Sequence, residues 1–358
     1  MIYKLDIGGT ERQLTEIARN LDPRRFEVHV ACLHSEGLRA DELRAGGIRV
    51  VSFPMPSFFS LQAARQAVAI IRYIRRNRID LVHAFDVPMD IYGVPIAAMA
   101  RGPIVLSSQR AHRELTPGLY HRLLRLTDHM VDGIVVNCEH MRRHLIDDEH
   151  VRARLIHLCY NGLDTSVFRP AESKQPSEKT VIGVVCALRP EKGLATLLDA
   201  FARLDPHSAE LLIVGSGPSL SALEFQAADL GISARCRFVP ATENVADWLR
   251  KIDIFVLPSL SEALSNALME AMACGCCVVA SRVGGNIELV GEAELRGVLF
   301  EKGNAAQLAE ELKVLCDDPA RRARLASAAT EFIHRGFTIE ASVSRMAAIY
   351  DKFLIGIN

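Results

Sequence analysis

Short apolar runs alternate along the chain with stretches whose apolar residues recur every three to four positions. FEVHVACL (26–33), GIRVVSF (47–53), IDLVHAF (79–85), PIVLSS (103–108) and GIVVN (133–137) predict strands, and 11–20, 61–77 and 118–130 predict helices between them. After residue 180 the alternation restarts with VIGVVCAL (181–188), ELLIVG (210–215), CRFVP (236–240), IFVLPS (254–259) and CVVAS (277–281). Strands that alternate with helices form parallel sheets with right-handed crossovers. Two such series predict an α/β protein of two doubly wound domains. VFRPAESKQPSEK (167–179) is rich in proline and charge and reads as the join. It divides the chain into a first domain over 1–166 and a second over 167–337, followed by a terminal amphipathic helix within 338–358. The length of 358 residues agrees, since single cores rarely grow past about 250–300 residues.

Helix 61–77 places Leu61, Ala64, Val68, Ile71 and Ile74 on one face and Arg65, Arg72, Arg75 and Arg76 elsewhere. The arginines read either as a solvated face of a docked helix or as a contact for anionic lipid. The preceding FPMPSFFS offers Phe53, Phe58 and Phe59, either as membrane contacts or as buried loop anchors.

Composition narrows the class. Apolar residues make up 49% and charged residues 24%, as in a soluble globular protein, and a net charge of −1 gives no footprint for nucleic acid. Residues 1–164 carry 22 Lys and Arg against 19 Asp and Glu, with Lys4 the only lysine. No run reaches the roughly 18–20 apolar residues of a membrane span, and the N-terminus lacks a signal-peptide pattern. The expectation is a cytoplasmic protein, peripheral at the inner membrane face if the basic helix binds lipid. The nine cysteines are scattered. Cys274, Cys276 and Cys277 lack the paired spacing of a zinc site and read as core thiols.

In open α/β sheets ligands bind beyond the carboxyl ends of the strands. Gly8 and Gly9 follow the first strand and open a helix, as a close ligand approach or as a plain tight turn. Arg189 and Lys192 enter a helix in LRPEKG, as a diphosphate clamp or as solvated cations. Gly215 and Gly217 form half a dinucleotide fingerprint. In SLSEALSNALMEAMACG, Ser265 is the expected N-cap of a helix over 266–274. The amides near Leu264, Ser265 and Asn266 then face an anion at the helix mouth. Glu262 and Glu270 flank that mouth. A carboxylate accepts two sugar hydroxyls, so one glutamate for ribose and one for a hexose would use both. Alternatively each is an acid complementing the helix dipole.

With these residues assembled, the sequence resembles glycosyltransferase family four over nearly its whole length. GGTERQL is similar to the family's glycine loop, VNCEHMRRHL to its "aNSe" segment, and YNGLDTSVFRP to its interdomain "NGvD" segment. LRPEKG resembles "GrL..eKG", and SEALSNALMEAMACGCCVVASRVGGNIELV resembles the signature E-x7-E followed by "EAMA.G.PVV" and "GG..E". The departures are Cys138 for serine, Ala187 for glycine and Cys277 for proline. The resemblance implies the GT-B fold: two doubly wound Rossmann-like domains facing across a cleft, with the terminal helix packed back on the first.

It also implies roles. Gly8 and Gly9 approach the donor diphosphate, which Arg189 and Lys192 hold. Leu264, Ser265 and Asn266 line the phosphate. Glu262 contacts the transferred sugar and Glu270 the ribose. Gly215 borders the donor, and the loop containing Val239 and Pro240 borders its base. Where many relatives carry a histidine, this chain has Gln109 or Arg110, with His112 nearby and His83 at another strand end. The implied activity is retaining transfer from a nucleotide-sugar, a UDP-sugar, to a glycan or lipid-linked acceptor in bacterial-type envelope glycan synthesis. No D-x-D tripeptide occurs, so neither metal nor other cofactor is expected. A nucleotide-sugar epimerase, a phosphorylase and an inactive binding module of the same fold are the alternatives.

Overall fold

A computed structural model describes every residue except 7, 59, 114–115, 173–178 and 356–358. The chain forms two compact units: Met1–Gly162 together with the chain from Ile339 onward, and Leu163–Thr338. The division falls before the boundary read at residue 166. Leu163 is already held in unit 2, where it bridges to Thr338 and its N–H donates to Phe337 O. Of the stretch 167–179, residues 173–178 lie outside the described residues.

Unit 1 runs β1 (Ile2–Lys4), α1 (Gly9–Asn20), β2 (His29–His34), α2 (Leu38–Ala45), β3 (Arg49–Ser52), α3 (Leu61–Arg76) and β4 (Leu81–Ala84). It continues through α4 (Val87–Met99), β5 (Ile104–Gln109), α5 (Gly118–Thr127), β6 (Gly133–Val136), α6 (Glu139–Asp147) and β7 (Ile156–Leu158). Its strands pair in parallel as β1-β2-β3 and β4-β5-β6-β7. The two sheets adjoin where Met1 O accepts Phe85 N at 3.0 Å and the Met1 amine donates to His83 O.

Unit 2 runs β8 (Thr180–Val185), α7 (Leu194–Phe201), β9 (Ala209–Val214), α8 (Leu220–Asp229), β10 (Cys236–Val239) and α9 (Val245–Leu249). It continues through β11 (Ile254–Leu257), α10 (Asn266–Ala273), β12 (Cys277–Ser281), α11 (Asn286–Val290), β13 (Val298–Phe300), α12 (Ala305–Asp317) and α13 (Pro319–Gly336). One parallel sheet orders the strands β10-β9-β8-β11-β12-β13. Strand order reverses at β8 and β11, the switch point where such sheets bind ligands.

The final helix, α14 (Ile339–Leu354), joins the core of unit 1 through Met346, Ile349 and Tyr350. β7 and β13, three residues each, are too short for an apolar run to declare them.

One predicted face is corrected. α3 buries Ala63, Ile70 and Ile74, whereas Leu61, Ala64 and Val68 are exposed. The helix is turned toward α4, whose Tyr92 hydroxyl donates to Ala63 O at 2.7 Å. The thiols of Cys274, Cys276 and Cys277 are buried, and burial pushes those of Cys274 and Cys277 up to about 12. Among the described residues no group of three or more His, Cys, Asp or Glu is placed to hold a metal ion. Among them, too, no helix is long and apolar enough to cross a membrane.

Candidate functional site

At the carboxyl ends of the unit 2 strands, successive loops are bound to one another. After β10, Ala241 N donates to Ser216 Oγ in the loop after β9 (3.0 Å). Ser216 O accepts Leu188 N (3.0 Å), and Leu188 O accepts Ser219 N (3.0 Å), which fastens that loop to the one after β8. Gly215 presses on Cys186 O, while Val239 is half-buried and Pro240 exposed beside them.

Arg189 then leads into a single 3-10 turn, Pro190–Lys192, closed by Gly193 at φ +63°. A Cβ at Gly193 would stand 2.2 Å from Pro258 O, so only glycine lets this turn rest on the loop after β11. Leu260 N donates to Glu191 O (2.8 Å) and completes that junction.

Glu262 sits where these loops meet. Lys192 Nζ donates to its Oε1 at 2.6 Å, and Ser259 Oγ donates to the same atom at 2.7 Å. Its backbone is held from below by the turn after β12. Gly284, at φ +49°, packs so closely that a Cβ would be 1.7 Å from Glu262 O, and Gly285 N donates to Ala263 O (2.6 Å). Ser281 Oγ donates to Ser259 O (2.5 Å), and Asn286 Nδ2 donates to Ser281 O (3.1 Å). Ser265 caps α10, accepting from Leu268 N at 3.3 Å. Leu264 and Ser265 are buried, Asn266 is half-buried at the first turn, and Glu270 is buried in the second.

The structure therefore joins Lys192 and Glu262 directly and brings Glu270 and the capped helix mouth onto the same loop–helix segment as Glu262. It does not bond Arg189 to them. Its side chain is 63% exposed, with Glu191 3.9 Å away. Sequence reasoning missed Ser259 as the partner of Glu262, and Gly284 and Gly285 as its backbone support. Their only signals were a serine directly after a strand and a glycine pair inside a longer motif.

In unit 1, Gly8 caps α1 with extended backbone (φ −163°), and the Glu11 carboxylate lies over it. His83 is a core residue. Its Nδ1 pairs with Tyr350 OH and its Nε2 with Ser108 Oγ, both at 2.9 Å, and burial pushes its pKa well below the ordinary range. Both ring nitrogens are thus engaged inside the fold. Gln109 is buried as well, donating to Asp90 Oδ2 (2.8 Å) and accepting from Arg113 Nε (3.3 Å). Arg110 donates to Asn161 Oδ1 (2.8 Å) and lies over the Phe85 ring. His112 packs edge-on against His140 and His144, ring centroids 5.0 Å apart in each pair.

A buried charged network unannounced by the sequence lies beside Gln109. Arg113 forms two 2.7 Å bonds to Asp128 and stands 3.8 Å from Glu149. Burial would raise Glu149, but bonds from Arg125 and His121 outweigh it and hold its carboxyl below the usual range. Burial, then the charge of Asp86, pushes Asp90 well above its own.

Two family models cover nearly the whole chain: Glycosyltransferase Family 4 over residues 7–167 and Glycosyl transferases group 1 over 168–332. A D-inositol 3-phosphate glycosyltransferase of Catenulispora acidiphila is 32% identical over 63% of this chain and 58% of its own length. One from Corynebacterium efficiens is 29% identical over 82% of this chain and 76% of its own length. Anabaena HepE, solved in complex with UDP-glucose, superposes with a TM-score of 0.85 at 22% identity, covering 98% of this chain and 99% of that one; it is similar in fold. The chain's two doubly wound units are those of the GT-B fold, and it belongs to glycosyltransferase family 4.

Proposed function

We propose that this protein is a retaining glycosyltransferase that moves a sugar from a nucleotide diphosphate sugar, a UDP-sugar, to a hydroxyl of a glycan or lipid-linked acceptor in bacterial-type envelope glycan synthesis. The observation that carries the reading is the Lys192–Glu262–Ser259 cluster at the switch-point edge of unit 2. A cation and a carboxylate that satisfy each other suit a ligand that offers both phosphate and hydroxyls. The phosphate takes over Lys192 and the sugar hydroxyls take over Glu262. UDP as carrier is supported by the UDP-glucose complex of the structurally similar HepE.

In this reading Arg189 and Lys192 hold the diphosphate, with the amides of Leu264 and Ser265, and Asn266, along it. Glu262 contacts the transferred sugar and Glu270 the ribose. Gly215, Val239 and Pro240 border the donor. The bond from the anomeric carbon to the phosphate oxygen breaks, and negative charge grows on the diphosphate. Preorganised cations and the helix mouth stabilise that charge, the work a metal does elsewhere. The departing phosphate oxygen takes the acceptor's proton on the same face, and the acceptor oxygen bonds the anomeric carbon with retention.

The test is thermal stabilisation by a panel of UDP-, GDP- and ADP-sugars, followed by hydrolysis without acceptor. A ligand at about 100 Kd stabilises by roughly 2.7 kcal/mol. Stabilisation by a UDP-sugar with slow release of UDP is expected. Stabilisation by none of the panel would overturn the reading, and binding without any hydrolysis would leave a binding module.

A further inference from the structure

The parallel sheets of unit 1 leave a slot one strand wide. β1 lies between β2 and β4. On one side Ile2 pairs with Cys32. On the other, the Met1 amine donates to His83 O and Met1 O accepts Phe85 N, the parallel pattern that sets Met1 opposite Ala84. Both neighbours begin earlier than β1. His29 and Val30 of β2, and Leu81, Val82 and His83 of β4, run on past the level of Met1. A cavity of about 240 Å³ lies there, with Val30 and Leu81 on its walls and Leu14, Ile17 and Tyr350 across one side. One water needs only ~10–15 Å³, so the space is far larger than a packing defect. Exposed Glu27 and Arg78 mark the rim, where the slot opens to water.

The walls call for a peptide backbone. Cys32 O serves Phe53 N, just beyond β3, and Asp80 O serves Ile104 N of β5. Pairing direction alternates along a strand, so His29 O and Ala31 N of β2, and Leu81 O and His83 N of β4, point into the slot. A small apolar molecule would leave those groups without partners, which a buried backbone rarely tolerates. Side chains alternate as well. Met1 packs by Gly93 of α4, and Ile2 lies in the core with Leu14 and Tyr350. A residue ahead of Met1 in the same strand therefore faces the apolar side formed by α1 and α14. The Met1 amine stands where a strand interior has a neutral N–H. Burial pushes its pKa from 8.0 down to about 6, against the pull of Asp86. A peptide bond at that nitrogen removes the charge and keeps the donor to His83 O.

We infer that the slot seats an extended apolar peptide of about three residues joined to the Met1 nitrogen, which continues β1 backward in parallel between β2 and β4. The residues next to Met1 and two places further out pack on α1 and α14. A separate peptide would meet the amine at van der Waals distance instead of through a ~1.33 Å bond, which throws it out of register with both edges. Donor binding in unit 2 plays no part in this site.

The experiment compares the full chain with two versions extended ahead of Met1, one by Met-Lys-Val-Val-Val and one by Met-Lys-Gly-Ser-Gly. Valine favours a strand and fills the apolar side, and Gly-Ser-Gly does neither. The valine extension should raise the midpoint of thermal unfolding by about 4 °C or more, and the glycine extension by less than half as much. Hydrogen exchange locates the effect. The amides of Ala31 and His83 should exchange about tenfold more slowly in the valine version, while those of β8 in unit 2 stay unchanged. Equal midpoints for the two extensions, or a rise without slower exchange at Ala31 and His83, would overturn the inference. So would protection of those amides in the unextended chain by free acetyl-Val-Val-Val-amide when the joined valines give none, which would hand the slot to a separate peptide.

Discussion

Units 1 and 2 share a doubly wound parallel sheet and differ in where they keep buried polar groups. In unit 2 these are Ser259, Ser265, Glu270, Ser281 and Asn286 among the described residues, and they lie on the segment that follows β11, at the end of β12 and just after it. They are fixed largely by backbone contacts between neighbouring loops. In unit 1, Asp90, Gln109, Arg113, Asp128 and Glu149 come from α4, β5, the loop after it and the ends of α5 and α6, and they hold one another by side chains. One unit builds a polar site from local chain and keeps its interior apolar. The other buries charge and depends on every partner being present. The same architecture thus carries two different vulnerabilities, in function for unit 2 and in stability for unit 1.

The largest effect expected from this contrast is on Arg113. Its side chain is fully buried between Asp128 and Glu149. Arg113→Ala would leave the buried Asp128 carboxylate without its cation, which destabilises by about 3–5 kcal/mol. Urea unfolding measures it. The paired change Arg113→Met with Asp128→Asn should lose much less, because it removes both charges together. A loss below about 1 kcal/mol for Arg113→Ala would break the contrast.

That contrast also governs what could be read from the chain. The alternation of short apolar runs with helical spacing carried both sheets, since a strand buried on both faces shows as a continuous run. The unit 2 site was legible because a loop passing straight into a helix keeps Glu262, Ser265 and Glu270 within a few residues. Lys192 was legible, but its bond to Glu262 was not, because the loop after β8 meets the loop after β11 only in the folded sheet. In unit 1, Asp90 and Glu149 are far apart in sequence, and nothing local marks Arg113 as buried. His83 looked like a strand-end histidine. Tyr350, which holds it in the core, arrives from α14 at the far end of the chain.

In unit 2, Lys192→Ala and Glu262→Ala are each expected to lower kcat/KM by about 10²-fold or more, as loss of one preorganised group does. Because the two side chains share a 2.6 Å bond, the double variant should lose less than the product of the single losses. Full multiplicativity would show that the bond has no bearing on turnover. Glu270→Ala should instead weaken nucleotide binding, which titration calorimetry with UDP reads directly.

A smaller effect separates close approach from backbone strain. Gly284→Ala adds a Cβ against Glu262 O at positive φ and should destabilise by about 1–3 kcal/mol while lowering activity. Gly303 also has positive φ (+77°), but nothing lies within 4 Å of its added Cβ. Gly303→Ala should therefore cost only about 1 kcal/mol of strain and leave turnover unchanged. Equal loss of activity in both variants would detach the Gly284 turn from Glu262.

The mildest change is Asp90→Asn, and it acts through pH. The Asp90 carboxyl faces Gln109, the charges of Asp86 and Asp128, and Arg113, and its Oδ1 is buried without a partner. Burial raises its pKa in the folded protein above the ordinary value of 3.8. Above that value the unfolded chain releases this proton while the folded chain still keeps it, so the folded state binds more protons. Stability contributed by this group therefore falls as pH rises from about 4 toward the raised native pKa. Asparagine keeps an acceptor for Gln109 and has no proton to lose. Asp86, pushed up to about 6 by burial, slopes the same way in both proteins and cancels in the difference. The variant should match the parent near pH 4 and gain on it by about 1 kcal/mol by pH 5, since one group changes stability by at most roughly 1.4 kcal/mol per pH unit. Parallel urea titrations across that range decide it. A stability difference that stays flat with pH would mean that Asp90 ionises as readily in the folded chain as in the unfolded one.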